Sequence, residues 1–471
     1  MEPITSVQSP GHISVDKMTM EVFKKKIQGR IIVPEDADYH SIRKVYNGMI
    51  DKYPAMIVQC NDVEDIIACV NFARDNQTLL AIRGGGHNAG GLGICDGGLV
   101  IDLSRLKKIQ VNNNDKTVWV QGGCLLKELD AATHAYGMAV PSGIFGSTGV
   151  SGLTLGGGLG HLTRQYGLSI DNLLEVEIVL ADGSFVKASG ETNPDLFWAL
   201  RGGGGNFGVV VSFLFKLSPV HTIYGGPMLW EMNESDEMIQ WYHNYIKTAP
   251  DEINGFFAYL TVPTVQPFPE HLHMKKMCGI VWCYNGDPDK AEEIFQPIRS
   301  FKKPALDFVN FMPFTALQTM FDPIYPPGLL WYWKADFVNE LNEESIKLHT
   351  RFGNEMPTSL SSMHMYPVNG AASRIGKNDT AWNYRDANYS VVIVGIDDNP
   401  GGKEKIIHWA KDYWNALHPY SAGGAYINFM MDEGEERIKA TYGDNYNKIA
   451  KIKSKYDPEN IFRVNQNIKP G

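Results

Sequence analysis

The sequence predicts an α+β protein in which a glycine-rich domain, built from both ends of the chain, receives an inserted aromatic-rich domain. Three observations carry this. Glycine-dense runs at 82–91, 143–160 and 202–208 each sit beside strand-like segments. Past Ser218-Pro219 such runs stop, and Trp, Tyr, Phe and Met become dense to about Pro419. Residues 420–471 lose that texture and are expected to return to the first domain. The expected boundaries are therefore 1–218, 219–419 and 420–471.

At 471 residues the chain is too long for one ordinary core. Its 44% hydrophobic and 20% charged residues are those of a globular protein. A net charge of −10 argues against nucleic acid, which needs a basic surface. No secretory signal, no membrane-spanning run and no disulfide pattern among the six dispersed cysteines is read, so a cytoplasmic protein, monomer or homodimer, is expected. Cys278 and Cys283 have only His271 and His273 nearby, too little for a four-ligand site, so no metal is expected.

In chain order, residues 1–26 read as a loose entry followed by a short helix. Ala55–Gln59 is extended. Asn61 and Glu64 have capping-box spacing, and apolar residues at 63, 66, 67, 70 and 73 form a helical stripe. Leu79–Ile82 reads as a strand running into the first glycine run, and the order strand, helix, strand, glycine loop suggests a small α+β unit. Strands follow at Leu99–Leu103 and Thr117–Gln121. A helix spans Leu125–Tyr136, stopped by Gly137. Leu173–Leu180 is a strand closed by the hairpin signal Asp182-Gly183. Asn193-Pro194 opens a short helix to Leu200. Asn206–Leu217, nearly all apolar, reads as a central strand. In the inserted domain, strands at 255–262, 277–284, 330–337 and 389–396 alternate with helices at 235–247, 289–300, 342–351 and 404–417. That pattern predicts an antiparallel sheet backed by helices.

Consecutive glycines let the main chain approach a ligand and turn its N–H groups toward an anion, of which a pyrophosphate is the obvious example. Three runs within so short a span point to a nucleotide pocket. The run 202–208 superficially fits a dinucleotide fingerprint, but a helix precedes it and a strand follows, the reverse of what a Rossmann unit requires.

At this point the residues resemble a known family. Arg83-Gly84-Gly85-Gly86-His87-Asn88, the stretch Gly149 to Gly160, Arg164 to Leu168, Asp195 to Gly204, Tyr426-Ile427-Asn428 and the ending through Asn465 to Ile468 are similar to the berberine-bridge-enzyme-like branch of the FAD-linked oxidases, of vanillyl-alcohol-oxidase type. The resemblance implies a PCMH-type FAD-binding domain of two α+β subdomains and an inserted substrate domain. It implies FAD held by Arg83, Gly84, Gly85, Gly86, His87, Asn88, Gly91, Ser147, Thr148, Gly149, Gly152, Leu153, Gly157, Gly158, Gly208, Val210, Tyr426, Asn428 and Asn465. It also implies that His87 bonds covalently to the flavin; a neutral imidazole is a competent nucleophile for this. Many relatives add a second bond from a cysteine, but Phe145 and Gly146 stand at the corresponding positions. One bond is therefore expected.

A flavin oxidase needs a base as well as a hydride acceptor. Many relatives use the second tyrosine of Tyr-x-Asn-Tyr, and here that position is Phe429. An amine, able to deliver hydride without a strong base, becomes the more compatible substrate. Lys334 and Asp336 share one face of an expected strand and resemble the lysine and acid pair of singly linked members. They are the first catalytic candidates, and Lys334→Met is expected to slow flavin reduction at least about tenfold. Tyr426, Asn428 and His364 are further candidates, the first two also as flavin contacts. The function expected is an oxidase for a small aromatic or cyclic amine or alcohol, with O2 or another acceptor. A sugar or polyol oxidase and a flavin-binding protein without turnover remain as alternatives.

Overall fold

The computed structural model describes residues 16–471, so most of the expected entry segment lies outside the described residues. The helix after it, Lys17–Lys26, is capped by Asp16, whose carboxylate accepts the Thr19 N–H. Two small sheets then form the glycine-rich domain. The first orders its strands Arg30–Ile32, Met56–Gln59, Leu99–Asp102 and Leu80–Arg83, with the last three parallel. Parallel neighbours need a crossover, and the helix Val63–Asp75 supplies it. Its cap is Asp62, one residue later than expected: Asp62 accepts the Asp65 N–H, while Asn61 donates its own N–H to Asp65.

The second sheet is antiparallel, in the order Ile109–Asn112, Thr117–Gln121, Val209–Lys216, Leu173–Val179, Phe185–Ser189. Its middle strand is the apolar run after the third glycine cluster. Both of its faces meet apolar cores, Val210, Phe213 and Phe215 in one and Val209 and Val211 in another, which is why its sequence does not alternate. The C-terminal residues pack here. Lys453, buried against Asp457, donates to the carbonyls of Asn206 and Phe462, and the Asn206 side chain accepts the Ile468 N–H.

The inserted region is an eight-stranded sheet whose long strands run Thr222–Glu231, Lys276–Tyr284, Ile253–Thr261, Ser362–Pro367, Tyr389–Asp397 and Leu330–Val338. Helices Ser235–Thr248, Ala291–Phe301, Glu343–Asn354 and Lys403–Leu417 cover one face. The other face packs on the glycine-rich domain. Period-two alternation decides which residue goes where. Cys278 joins the helix-side core and Cys283 the opposite one, so their spacing along one strand separates them. Two of the long strands, and the two short ones at Leu306–Asp307 and Asn310–Pro313, were not expected. Thr222–Glu231 carries Gly225-Gly226-Pro227, which reads as a turn. The chain at Phe308 passes so close that a Cβ on Gly226 would lie 2.4 Å from its carbonyl oxygen, and this requires glycine. Ser362–Pro367 is short and half polar. No helix among the described residues is long and apolar enough to cross a membrane.

Candidate active site

The three glycine runs and the inner face of the large sheet enclose one elongated cavity. Its volume is about 260 Å³. The strand Leu80–Arg83 delivers the first run. Arg83 pairs with Asp102 on the neighbouring strand at 2.9 Å, both side chains buried, and donates to the Ile42 carbonyl. This anchors the loop beneath Gly84–Gly86. The first and second runs then touch main chain to main chain: a Cβ on Gly85 would lie 2.4 Å from the Gly149 nitrogen, and one on Gly149 would lie 2.3 Å from the Gly85 nitrogen.

His87 projects into the cavity. Tyr46 stacks on its imidazole, ring centroids 3.7 Å apart, and donates its hydroxyl to the Tyr325 carbonyl. His87 Nε2 lies 3.0 Å from Ser147 Oγ, which in turn reaches Asp322 at 3.5 Å. Burial pushes the His87 pKa down to about 3, so the ring is neutral at physiological pH. Phe145 fills the next space, its ring 6.1 Å from the imidazole, and none of the six cysteines lines the cavity.

Of the residues expected at the cofactor, Arg83, Gly84, Gly85, Gly86, His87, Asn88, Thr148, Gly149, Gly152, Leu153, Gly208, Val210, Tyr426, Asn428 and Asn465 line this cavity. Ser147 stands one layer behind, touching His87. Gly91, Gly157 and Gly158 do not line it. Gly91 closes the turn that its N–H makes with the Asn88 carbonyl. Gly157 and Gly158 turn the chain beneath Tyr426, whose hydroxyl oxygen accepts the Gly158 N–H at 2.8 Å and the Asn428 amide at 2.7 Å.

Lys334 and Asp336 share a face, as alternation requires, but it is the wrong one. Trp331 and Trp333 turn toward the cavity, and Lys334 and Asp336 turn toward the helices. Lys334 pairs with Glu433 at 2.5 Å and lies over the Trp414 ring. Asp336 pairs with Arg437 and, at 2.9 Å, with His418. Neither reaches a ligand in the cavity, so their catalytic assignment is corrected. They hold the edge strand to the segment after residue 420.

The far end of the cavity comes from residues sequence reasoning missed or ranked low: Tyr46, Tyr325, Trp331, Trp333, Ser362, His364, Tyr366, Val392, Val394, Ile396 and Phe429. The one usable signal was Ser362-Met363-His364-Met365-Tyr366, where polar and apolar residues alternate strictly. His364 Nδ1 and Tyr366 Oη are hydrogen-bonded at 2.8 Å. The indole N–H groups of Trp331 and Trp333, and Asn465 Oδ1 at the other end, are buried without a protein partner.

These residues fit a flavin dinucleotide. Main chain without side chains faces the diphosphate end. The middle is apolar, an orphaned amide oxygen can accept a hydrogen bond, and a neutral imidazole faces the slot.

The family of FAD binding domains matches residues 54–189, and that described as berberine and berberine like matches 425–469. An FAD-linked oxidoreductase of Dictyostelium discoideum is 32% identical over 453 residues, 95% of this chain and 96% of that one. An (R)-6-hydroxynicotine oxidase of Paenarthrobacter nicotinovorans is 25% identical over 469 residues, 94% of this chain and 97% of that one. The crystal structure of 6-hydroxy-D-nicotine oxidase from Arthrobacter nicotinovorans superposes with a TM-score of 0.85 at 24% identity, over 94% of this chain and 98% of that one. Fold and cavity together define an FAD-dependent oxidoreductase with a PCMH-type FAD-binding domain. Within that class, the chain belongs to the berberine-bridge-enzyme-like family of FAD-linked oxidoreductases.

Proposed function

We propose that the chain is an oxidase whose FAD is held by a single covalent bond through His87, and that it oxidises a small aromatic or cyclic amine or alcohol, with O2 restoring the flavin. One observation carries the substrate class: among the described residues no carboxylate or ammonium group lines the aromatic end, and Arg83, the charged residue they place on the cavity wall, is tied to Asp102. Such a box favours a flat ring, which the aromatic side chains can stack or meet edge-on. It also favours an amine in its neutral form, because an unpaired buried ammonium is costly. A neutral amine is the form that can release hydride. Bound flavin supplies the hydride acceptor. The relative named as an (R)-6-hydroxynicotine oxidase fits the same substrate class.

The neutral state of His87, its fixed stacking on Tyr46 and its bond to Ser147 support a nucleophile held ready for the flavin. Phe145 beside it supports one bond rather than two.

Two measurements test the reading. Acid precipitation of the wild type is expected to carry the yellow colour down with the protein, whereas His87→Ala releases it. Wild type that releases all its flavin overturns the linkage. An anaerobic screen is expected to show flavin bleaching with cyclic amines or benzylic alcohols. Bleaching by sugars or polyols alone overturns the substrate class.

A further inference from the structure

We propose that Tyr366 and His364 form a proton relay in the cavity: Tyr366 takes the proton from the substrate's N–H or O–H group as its own phenolic proton passes to His364. The proposal rests on the oxidase reading above and names the residues that complete its reaction.

Hydride loss alone turns an amine into an iminium, but oxidation of a secondary amine to the neutral imine, or of a CH–OH group to a carbonyl, also removes a proton, and that proton needs an acceptor. The other tyrosine and histidine groups on the cavity wall have partners of their own, Tyr325 among them, whose hydroxyl bonds to Ser362. Tyr46 donates to the Tyr325 carbonyl. The Tyr426 oxygen already receives two donors. His87 is stacked and bonded to Ser147. His364 and Tyr366 join an imidazole to a phenol, bonded at 2.8 Å, with both side chains on the cavity face of one strand.

The relay requires one direction for that bond, and the groups around it are compatible with that direction. In the relay the Tyr366 O–H donates to His364 Nδ1 and the imidazole proton sits on Nε2, the tautomer that the 2.8 Å contact allows. Burial holds the His364 pKa near 4, so Nδ1 keeps its lone pair, and it pushes Tyr366 well above the ordinary tyrosine range, so the phenol stays protonated. The groups packed on His364 from the neighbouring strands are Phe256, whose ring lies 5.2 Å away, and Val392; neither is charged. Phe429 lies 5.6 Å from the Tyr366 ring and offers no competing hydroxyl.

In the step, the substrate C–H bond breaks and its electron pair leaves as hydride, for which a bound flavin would be the acceptor. The substrate N–H or O–H proton moves to Tyr366 Oη, the Tyr366 proton moves to His364 Nδ1, and a C=N or C=O bond forms. The chain gains one proton, stored as imidazolium in a site that disfavours it, so His364 sheds the proton once water returns.

The test uses yellow holoprotein and anaerobic stopped-flow bleaching with a panel of secondary cyclic amines, each carrying an N–H, and benzylic alcohols. Tyr366→Phe keeps the ring and removes the relay atom. Its bleaching rate at saturation is expected to fall at least about 100-fold, with substrate Kd within about threefold and flavin absorbance retained. His364→Asn is expected to lower the same rate and to leave Kd similarly unchanged. Bleaching of Tyr366→Phe at the wild-type rate overturns the relay while leaving the oxidase reading intact. A loss carried by Kd rather than rate also overturns it, in favour of a packing role. Wild type that no compound bleaches brings down the oxidase reading and the relay together.

Discussion

The two ends of the cavity are walled by different parts of the polypeptide. At the glycine end the wall is main chain: Gly84, Gly85, Gly149 and Gly152 present backbone, and the loops meet at Gly85 and Gly149 with no room for a methyl group. At the aromatic end the wall is side chain, contributed by Tyr46, Trp331, Trp333, Tyr366 and Phe429 from segments far apart in sequence. A wall of backbone has no atoms to exchange, so it fixes one ligand. A wall of side chains can be repacked at conserved volume for less than about 1.5 kcal/mol. Substrate choice is therefore expected to vary at the aromatic end while the cofactor end stays fixed.

The most direct way to break this contrast is Gly85→Ala. The added Cβ would meet the Gly149 nitrogen at 2.4 Å and its Cα at 2.6 Å, and backbone cannot rotate away. Loss of bound flavin is expected, with more than about 4 kcal/mol of stability, a size reserved for collisions or voids in packed regions. Flavin content and thermal unfolding check it; a yellow variant of wild-type stability would show that the glycines are only permissive.

The same contrast explains what could be read from the sequence. The glycine end is local: consecutive glycines, their order and the flanking strands lie within short stretches, and their demand on the backbone holds wherever the rest of the chain goes. The aromatic end is non-local. Alternation correctly paired Lys334 with Asp336, but both faces of Leu330–Val338 carry aromatic residues, Trp331 and Trp333 on one and Tyr332 on the other. Nothing within the strand says which face meets the flavin domain; that is decided by the helices that cover the opposite side. Gly91, Gly157 and Gly158 misled in the reverse sense, because glycines that only turn the chain look the same as glycines that admit a ligand.

Lys334→Met sharpens the assignment of faces. Lys334 and Glu433 are largely shielded from water, and removing the lysine leaves Glu433 with only the longer contact to Arg437, at 3.9 Å. A loss of about 3–5 kcal/mol in stability is expected, with flavin reduction within about twofold of wild type. A rate loss of tenfold at normal stability would return Lys334 to the cavity chemistry.

Titration separates the layers behind the aromatic end. His161, near Phe256, and His349, on the helix side, are buried, and burial pushes each pKa down to about 3 from 6.5. Between pH 6.5 and 3 the unfolded chain binds a proton at each site and the folded chain does not. Stability is therefore complete above pH 6.5 and falls on acidification by about 1.4 kcal/mol per pH unit for each histidine. Asp130 opposes one of them: burial pushes it up to about 7, so between about pH 4 and 7 the folded chain holds the extra proton and gains stability toward acid. Replacing His349 by Gln is expected to remove one histidine's share of the slope in unfolding experiments at pH 6.5, 5.5 and 4.5. An unaltered slope would mean that His349 protonates in the folded state.

The smallest effect expected comes from Trp333→Phe, and it reads the aromatic end directly. The variant keeps a ring against Phe429 and removes an indole N–H that is buried with no protein acceptor. An unpaired buried donor costs about 1–3 kcal/mol, so the free protein is expected to become more stable, not less. If substrate supplies the missing acceptor, the same change weakens binding by about 1 kcal/mol, roughly fivefold in Kd. Higher melting temperature together with weaker binding is a combination that general damage to packing does not produce. A higher melting temperature with unchanged Kd would place the substrate's acceptor elsewhere, with the Trp331 indole as the remaining orphaned donor on that wall.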